Sequence, residues 1–268
     1  MATDETGATE RAATLAWTTE LTREAAARAR RMAAGEMNVT RKDNGTLVTD
    51  IDREIERFLR AAIAERFPGH AILGEEFGRE GADDARFLWA LDPIDGTTNL
   101  ANGLPFWCVS VGLIEDGRMS VGVCSAPMIG ETFAAARGVG ATLNGDALPP
   151  LAPGGPLDSE DPYGVCSTSV RTRDLSRIGG KLRILGSAAL EVCYVGAGRT
   201  RGCQNFGVSL YDVAGAGCVA QALGAEMRWL DTNAPYDPLE HGRTGPRKDT
   251  PLVTAPPATL AYLRERLR

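Results

Sequence analysis

The chain has 268 residues, 43% of them apolar, and a formal net charge of −6 at pH 7. That is enough apolar material for one large core or two joined lobes, and it excludes a disordered chain. The acidic balance argues against a general binder of nucleic acid or anionic membrane. No apolar run reaches membrane-spanning length. The N-terminus MATDETGATERAATLAW carries acids where a secretion signal needs a basic start and an apolar stretch, so cytoplasmic residence is expected.

Taken in order, residues 9–34 are rich in Ala, Arg and Glu. They place Trp17, Leu21, Ala25, Ala29 and Met32 at helical spacing, which predicts an amphipathic scaffold helix. LVTDIDREIERFL at 47–59 puts Asp50 and Asp52 at the entrance of a second helix, predicted over 51–67. Its apolar face holds Ile51, Ile55, Phe58, Leu59, Ala62 and Ile63, and Pro68-Gly69 ends it. Asp52 reads either as a helix-entry acid or as a group aimed into a site, with Thr49 the stronger cap. GEEFG at 74–78 follows the apolar AIL and leaves Glu75 and Glu76 at a strand end.

FLWAL at 87–91 is a strand that Pro93 stops, so the chain turns at Asp92. Asp92 and Asp95 then crowd into one bend, where a shared cation would relieve their repulsion. Gly96 lets backbone approach an anion, and the amides of Thr97 and Thr98 point at a phosphate if a helix starts there. The bland alternative is an ordinary Asp-Pro, Asp-Gly turn. FWCVSVGLIE, MSVGVCSAP and ETFAAA read as strands, with hairpin turns at Asp116-Gly117 and Asn144-Gly145. The stretch from Pro149 to Pro162 is the candidate join between lobes. SLYDVAGAG at 209–217 opens another helix with Asp212, where Ser209 is the candidate cap. Four acidic clusters at element ends favour a metal site over isolated turns. Cys108, Cys124, Cys166, Cys193, Cys203 and Cys218 lack any C-x-x-C spacing and are expected to be reduced and packed. His70 and His241 are the only histidines, which excludes HExxH chemistry and argues against a Ser-His-Asp triad.

The order of these segments resembles the inositol monophosphatase superfamily of magnesium-dependent phosphomonoesterases. Its G-E-E and W-x-x-D-P-I-D-G-T-x-N marks are present, its W-D-x-A appears as Tyr211-Asp212-Val213-Ala214, and LVTDID and GSAALEVCYVGAG match two further segments. The likeness runs from about Thr40 to the C-terminus. It implies an α/β fold with an α+β N-terminal half, a layered αβαβα sandwich. A lobe over 1–150 would carry most ligands, and one over 151–268 would supply Asp212 and the substrate wall. It implies two to three Mg2+ ions. Glu75, Asp92 and the carbonyl of Ile94 would hold the first, Asp92, Asp95 and Asp212 the second, and a third would lie near Glu75. Thr97, oriented by Asp52, would activate a metal-bound water, with Glu75 supporting catalysis. Phosphate would rest on the amides of Gly96 and Thr97, while Ser187 and Ala188 would lie on the substrate side. Lithium sensitivity and a homodimer are also implied.

Asn205 stands where inositol-specific members carry an acid that contacts substrate hydroxyls, and the segment 171–186 is short for the family. Asp50 and Glu76 are read as structural or supporting, Asn99 as turn glue, and Trp89 and Phe106 as core. Three readings follow. The first is a phosphatase of a small polyol, sugar or amino-alcohol phosphate, such as inositol or histidinol phosphate. The second is a phosphatase of a nucleotide or specialised biosynthetic intermediate, and the third a catalytically weak member that binds or regulates.

Overall fold

The computed structural model describes residues 2–42 and 45–267. It opens with α1 (Ala2–Ala33), the antiparallel pair β1 (Val39–Arg41) and β2 (Leu47–Thr49), and α2 (Asp50–Arg66). Next come β3 (Ala71–Gly74), β4 (Gly78–Glu80), β5 (Phe87–Asp95), the short α3 (Thr97–Ala101), β6 (Cys108–Glu115), β7 (Arg118–Ala126), β8 (Glu131–Ala136), β9 (Gly140–Leu143) and β10 (Asp146–Ala147). After 148–161, which hold no helix or strand, follow β11 (Pro162–Val165), α4 (Ser167–Thr172), β12 (Lys181–Arg183), α5 (Ala188–Gly196) and β13 (Cys203–Asn205). The chain ends with α6 (Leu210–Ala222), β14 (Glu226–Trp229), α7 (Pro238–Thr244), β15 (Leu252–Ala255) and α8 (Pro257–Leu267).

The strands form an eight-stranded sheet in the order β10-β9-β8-β7-β6-β5-β3-β4 and a five-stranded sheet in the order β12-β11-β13-β15-β14. Three cores separate the layers. Leu21, Ala25 and Ala29 of α1 and Ile51, Ile55 and Leu59 of α2 pack on Trp89, Leu91 and Val111 of the large sheet. Ala189, Leu190 and Val192 of α5 and Val213, Ala214 and Ala216 of α6 fill the space between the sheets. Leu260, Leu263 and Leu267 of α8 cover Tyr163, Val253 and Ala255 of the small sheet. The result is the expected helix–sheet–helix–sheet–helix sandwich.

Local chemistry accounts for most of these elements. The β6–β7 and β9–β10 hairpins turn at Asp116 (φ 48°) and Asn144 (φ 54°), each followed by a positive-φ glycine, the backbone of a tight primed turn. β6 and β7 are buried on both faces, which explains their unbroken apolar runs. The central helix α6 comes unusually close to them, because a Cβ at Gly122 would stand 2.1 Å from the Gly215 carbonyl oxygen. The second helix spans one residue earlier at each end than expected, and α1 starts well before residue 9. Among the described residues no helix is long and apolar enough to cross a membrane.

Candidate active site

The site begins at the α2 entrance. Thr49 is the N-cap and Asp52 the third helical residue, joined in a capping box in which Asp52 Oδ2 accepts from the Thr49 amide at 2.9 Å. Asp52 Oδ1 accepts from the Thr97 hydroxyl at 3.0 Å. One Asp52 oxygen thus closes the helix while the other is held by the Thr97 hydroxyl. Asp50 turns outward to Asn38 and is structural.

β5 supplies the middle of the site. Its pairing with β6 is regular as far as Asp92–Ser110, shifts register after it, and resumes at Asp95–Cys108. The irregularity gathers Asp92, Asp95 and the Ile94 carbonyl at the sheet end. Asp92 Oδ1 accepts from the Ile94 amide at 3.0 Å, and the Ile94 carbonyl lies 3.0 Å from the Thr97 hydroxyl. Asp95 crosses to the start of α5, where it accepts from the Ser187 hydroxyl and from the amides of Ala188 at 3.3 Å and Ala189 at 2.7 Å. Asp212, in the first turn of α6, accepts from the Ser209 amide at 2.6 Å. Glu75 leaves the end of β3 and pairs with Lys42 at 3.0 Å.

These acids feel one another. Burial pushes Asp92 well above the usual carboxylate range, and the charges of Glu75, Asp95, Asp212 and Asp52 push it further. Asp212 rises for the same reasons: burial first, then Asp95 and Glu75. Burial lifts Asp95 to about 7, although the Ser187 hydroxyl and Ala189 amide work against it. Glu75 is raised by burial and restrained by Lys42. Acids at residues 52, 75, 92, 95 and 212 thus share one low-dielectric region, each needing a proton or a cation.

The helix expected to face an anion is shorter than expected. Gly96 has φ 100°, and a Cβ there would lie 2.9 Å from the Phe106 carbonyl oxygen, so the turn requires glycine. However, α3 is only five residues long, so it builds little of the aligned dipole of a full helix. Any anion at Gly96 and Thr97 would have to rely on individual amides. Asn99 is the turn's tie, donating to the Phe106 carbonyl at 2.5 Å and the Leu185 carbonyl at 2.8 Å. Trp89 is core under α1 and α2, while Phe106 packs partly buried against the core between the sheets. The short segment 171–186 forms a 3-10 turn at Leu175–Arg177 and the exposed edge strand β12. Ser187 and Ala188 face Asp95, and Asn205 is buried with Nδ2 3.9 Å from Cys203 Sγ.

Three groups escaped the sequence reading. Lys42 bridges Glu75 and Glu76, and no periodicity marks it. Glu56 holds the turn after β3 by accepting from the amides of Glu76 at 2.6 Å and Phe77 at 3.2 Å. Its signal was an acid one helical turn beyond Asp52, on a face otherwise apolar. Glu191 is buried within an apolar stretch of α5, and its isolation there was the clue.

The donor set is carboxylate and carbonyl oxygen, the chemistry of a hard divalent cation. Among the described residues no three acid, cysteine or histidine side chains already converge as a finished metal cage. The hydrogen bonds above explain this, since each acid is turned onto a neighbouring donor. The oxygen ligand types and their mutual repulsion fit magnesium, and closing around it requires side-chain rotation.

Two helix-flanked sheets with an acidic cluster at the end of the larger one make the chain a layered α/β sandwich. The profile of the inositol monophosphatase family matches residues 9–263. Over 207 residues the chain is 36% identical to an inositol-1-monophosphatase of Synechocystis, covering 74% of this chain and 71% of that protein. Over 221 residues it is 34% identical to the Nus factor SuhB of Pseudomonas aeruginosa, covering 77% and 80%. The solved structure of the Thermotoga maritima IMPase superposes with a TM-score of 0.80 at 26% identity, covering 94% and 95%. The chain belongs to the inositol monophosphatase family.

Proposed function

We propose that the protein is a magnesium-dependent phosphatase that hydrolyses a phosphate monoester of a small polyol, sugar or amino alcohol. The observation that carries this reading is the mutual charge stress among Asp92, Asp95, Asp212 and Glu75, a cluster of buried and half-buried carboxylate oxygens. Glu75, Asp92 and the Ile94 carbonyl would hold one ion, and Asp92, Asp95 and Asp212 a second, with a third near Glu75. When bound, such ions draw in the phosphate dianion, lower the pKa of water and stabilise a departing alkoxide.

The protein's own part is proton handling and orientation. The Thr97 hydroxyl has one proton and two acceptors at 3.0 Å, Asp52 Oδ1 and the Ile94 carbonyl. By donating to Asp52 it leaves its lone pairs free to accept from an attacking water. Burial raises Asp52, while Thr49 and Thr97 hold it back, so it is a base able to take the relayed proton. The Gly96 and Thr97 amides would steady the phosphate oxygens. No step needs a covalent enzyme intermediate.

The test is phosphate release from a panel of phosphomonoesters with magnesium and with chelator. Turnover confined to magnesium, and to esters of small hydroxylated alcohols, is expected. A second reading, action by binding, draws on the identity with the Pseudomonas aeruginosa Nus factor SuhB. Metal-loaded protein that turns over no ester in the panel would favour it.

A further inference from the structure

His241 is one of two histidines in the chain, and neither the acidic cluster nor the water-activating groups use it. It stands on α7, is 3% exposed, and has the rings of Trp229 and Tyr236 edge-on at 5.5 and 5.2 Å. Burial pushes the imidazole below its ordinary value, so near neutral pH it is uncharged and carries one proton. Its Nε2 lies 2.9 Å from the Val208 carbonyl oxygen and its Nδ1 2.7 Å from the Tyr236 hydroxyl. A carbonyl can only accept, so the proton is on Nε2 and Nδ1 accepts from the tyrosine.

The Val208 carbonyl belongs to the same planar peptide as the Ser209 amide, and that amide donates to Asp212 Oδ2 at 2.6 Å. Every bond thus runs one way, from the Tyr236 hydroxyl through the imidazole and the peptide to the Asp212 carboxylate. In such a chain each acceptance strengthens the next donation. The segment that carries His241 grips the entry to α6 twice more. The Gly207 amide donates to the Arg247 carbonyl at 3.0 Å, and α7 packs so closely on α6 that a Cβ at Gly242 would stand 3.0 Å from Leu210 Cδ2.

We propose that His241 is a positioning residue for the metal site. By fixing the rotation of the peptide between Val208 and Ser209, it keeps the Ser209 amide aimed at Asp212, so that a cation meets a carboxylate already oriented and charged. This rests on the magnesium assignment above. It gives a buried imidazole and a phenol a part in metal binding, although neither touches the ion or the substrate.

The experiment titrates metal-stripped protein with magnesium chloride by calorimetry, well below its melting temperature, and separately reads the magnesium concentration for half-maximal phosphate release. His241→Asn removes the donor to Val208, because its amide reaches only where Nδ1 stood. Its magnesium affinity should fall about tenfold or more, the usual loss when an outer partner of a metal ligand is removed. His241→Gln places an N–H near the old Nε2 position and should recover most of that affinity. Tyr236→Phe keeps the ring but lets the imidazole move its proton to Nδ1, so it should lose affinity as well, and it carries the test if the His241 variants do not fold. A merely structural histidine would lower the melting temperature in both His241 variants and leave the affinity of the folded protein unmoved. Wild-type affinity in His241→Asn, or in Tyr236→Phe where that variant carries the test, overturns the inference, and so does a His241→Gln protein no better than His241→Asn. Wild-type protein that binds magnesium but releases phosphate from no ester removes the phosphatase reading alone, and the affinities still decide the role of His241. Wild-type protein that binds no magnesium overturns both.

Discussion

Asp92 accepts from the Ile94 amide at 3.0 Å while four neighbouring acids oppose its charge. Replacing it with Asn keeps its shape and removes the charge that two cations would share. Phosphate release should fall about a hundredfold or more with circular dichroism unchanged. Near-native turnover would assign the bridging role to another residue. Asp95 gives a pH signature. Its carboxyl titrates near 7 in the fold, against 3.8 ordinarily, because it is buried. The native state therefore keeps a proton that the unfolded chain has released across that window. Stability is full below the ordinary value and is lost as pH rises through 7, at no more than about 1.4 kcal/mol per pH unit for one group. Metal-stripped protein should accordingly melt higher at pH 5 than at pH 8, and Asp95→Asn should flatten that slope; a flat wild-type profile would contradict the shift. At this scale Asp52, Asp92 and Asp212 were legible because they sit at element ends, where the chain pattern changes. Lys42 was not, because its partners Glu75 and Glu76 lie far away in sequence.

Elements carry these residues to one another through close packing. Asp212 is three residues into α6, which rests directly on β6 and β7. The reason is that Gly122 and Gly112 leave no side chain between strand and helix: a Cβ at Gly112 would stand 2.6 Å from that of Ala214. Gly122→Ala must push α6 outward, since its contact is backbone and cannot swing away. It should cost about 1–3 kcal/mol in urea unfolding and also lower turnover by moving Asp212. An unchanged unfolding midpoint would show that the helix has room. Periodicity and turn chemistry gave α2 and the two hairpins nearly to the residue. They missed the parallel pairing of β3 with β5 and the order of the five-stranded sheet, because those contacts join segments with no local signature. The shortness of α3 did have a local sign: Pro105 disfavours helix at the residue before it.

At the scale of the molecule, five acids spread from residue 52 to residue 212 meet at one end of the large sheet, in a chain of net charge −6. The fold itself must therefore supply the energy that holds them together, and a divalent ion would return part of it. Magnesium should raise the melting temperature of stripped protein in a concentration-dependent way, by about 2.7 kcal/mol in stability at a hundred times Kd. Chelator should abolish phosphate release, and excess magnesium should restore it. Full activity of stripped protein in chelator would refute a metal role.

A sharper consequence concerns protons. Asp92, Asp95 and Asp212 are all raised by burial, Asp95 to about 7, so at pH 6.5 Asp95 holds a proton that a cation would have to displace. Ligand carboxyls bind metal only when deprotonated. Magnesium binding at pH 6.5 should therefore release protons, while at pH 9, above the titration of Asp95, it should release fewer and be tighter. Calorimetric titration in buffers of different ionisation enthalpy reads this directly, because the apparent heat changes with the buffer in proportion to the protons transferred. The Asp95→Asn protein should show a smaller buffer dependence at pH 6.5 together with weaker binding. Heats that do not depend on buffer at pH 6.5 would mean that the acids are already ionised before the metal arrives. The charge stress assigned to the cluster would then be relieved by water or by Lys42 rather than by bound protons.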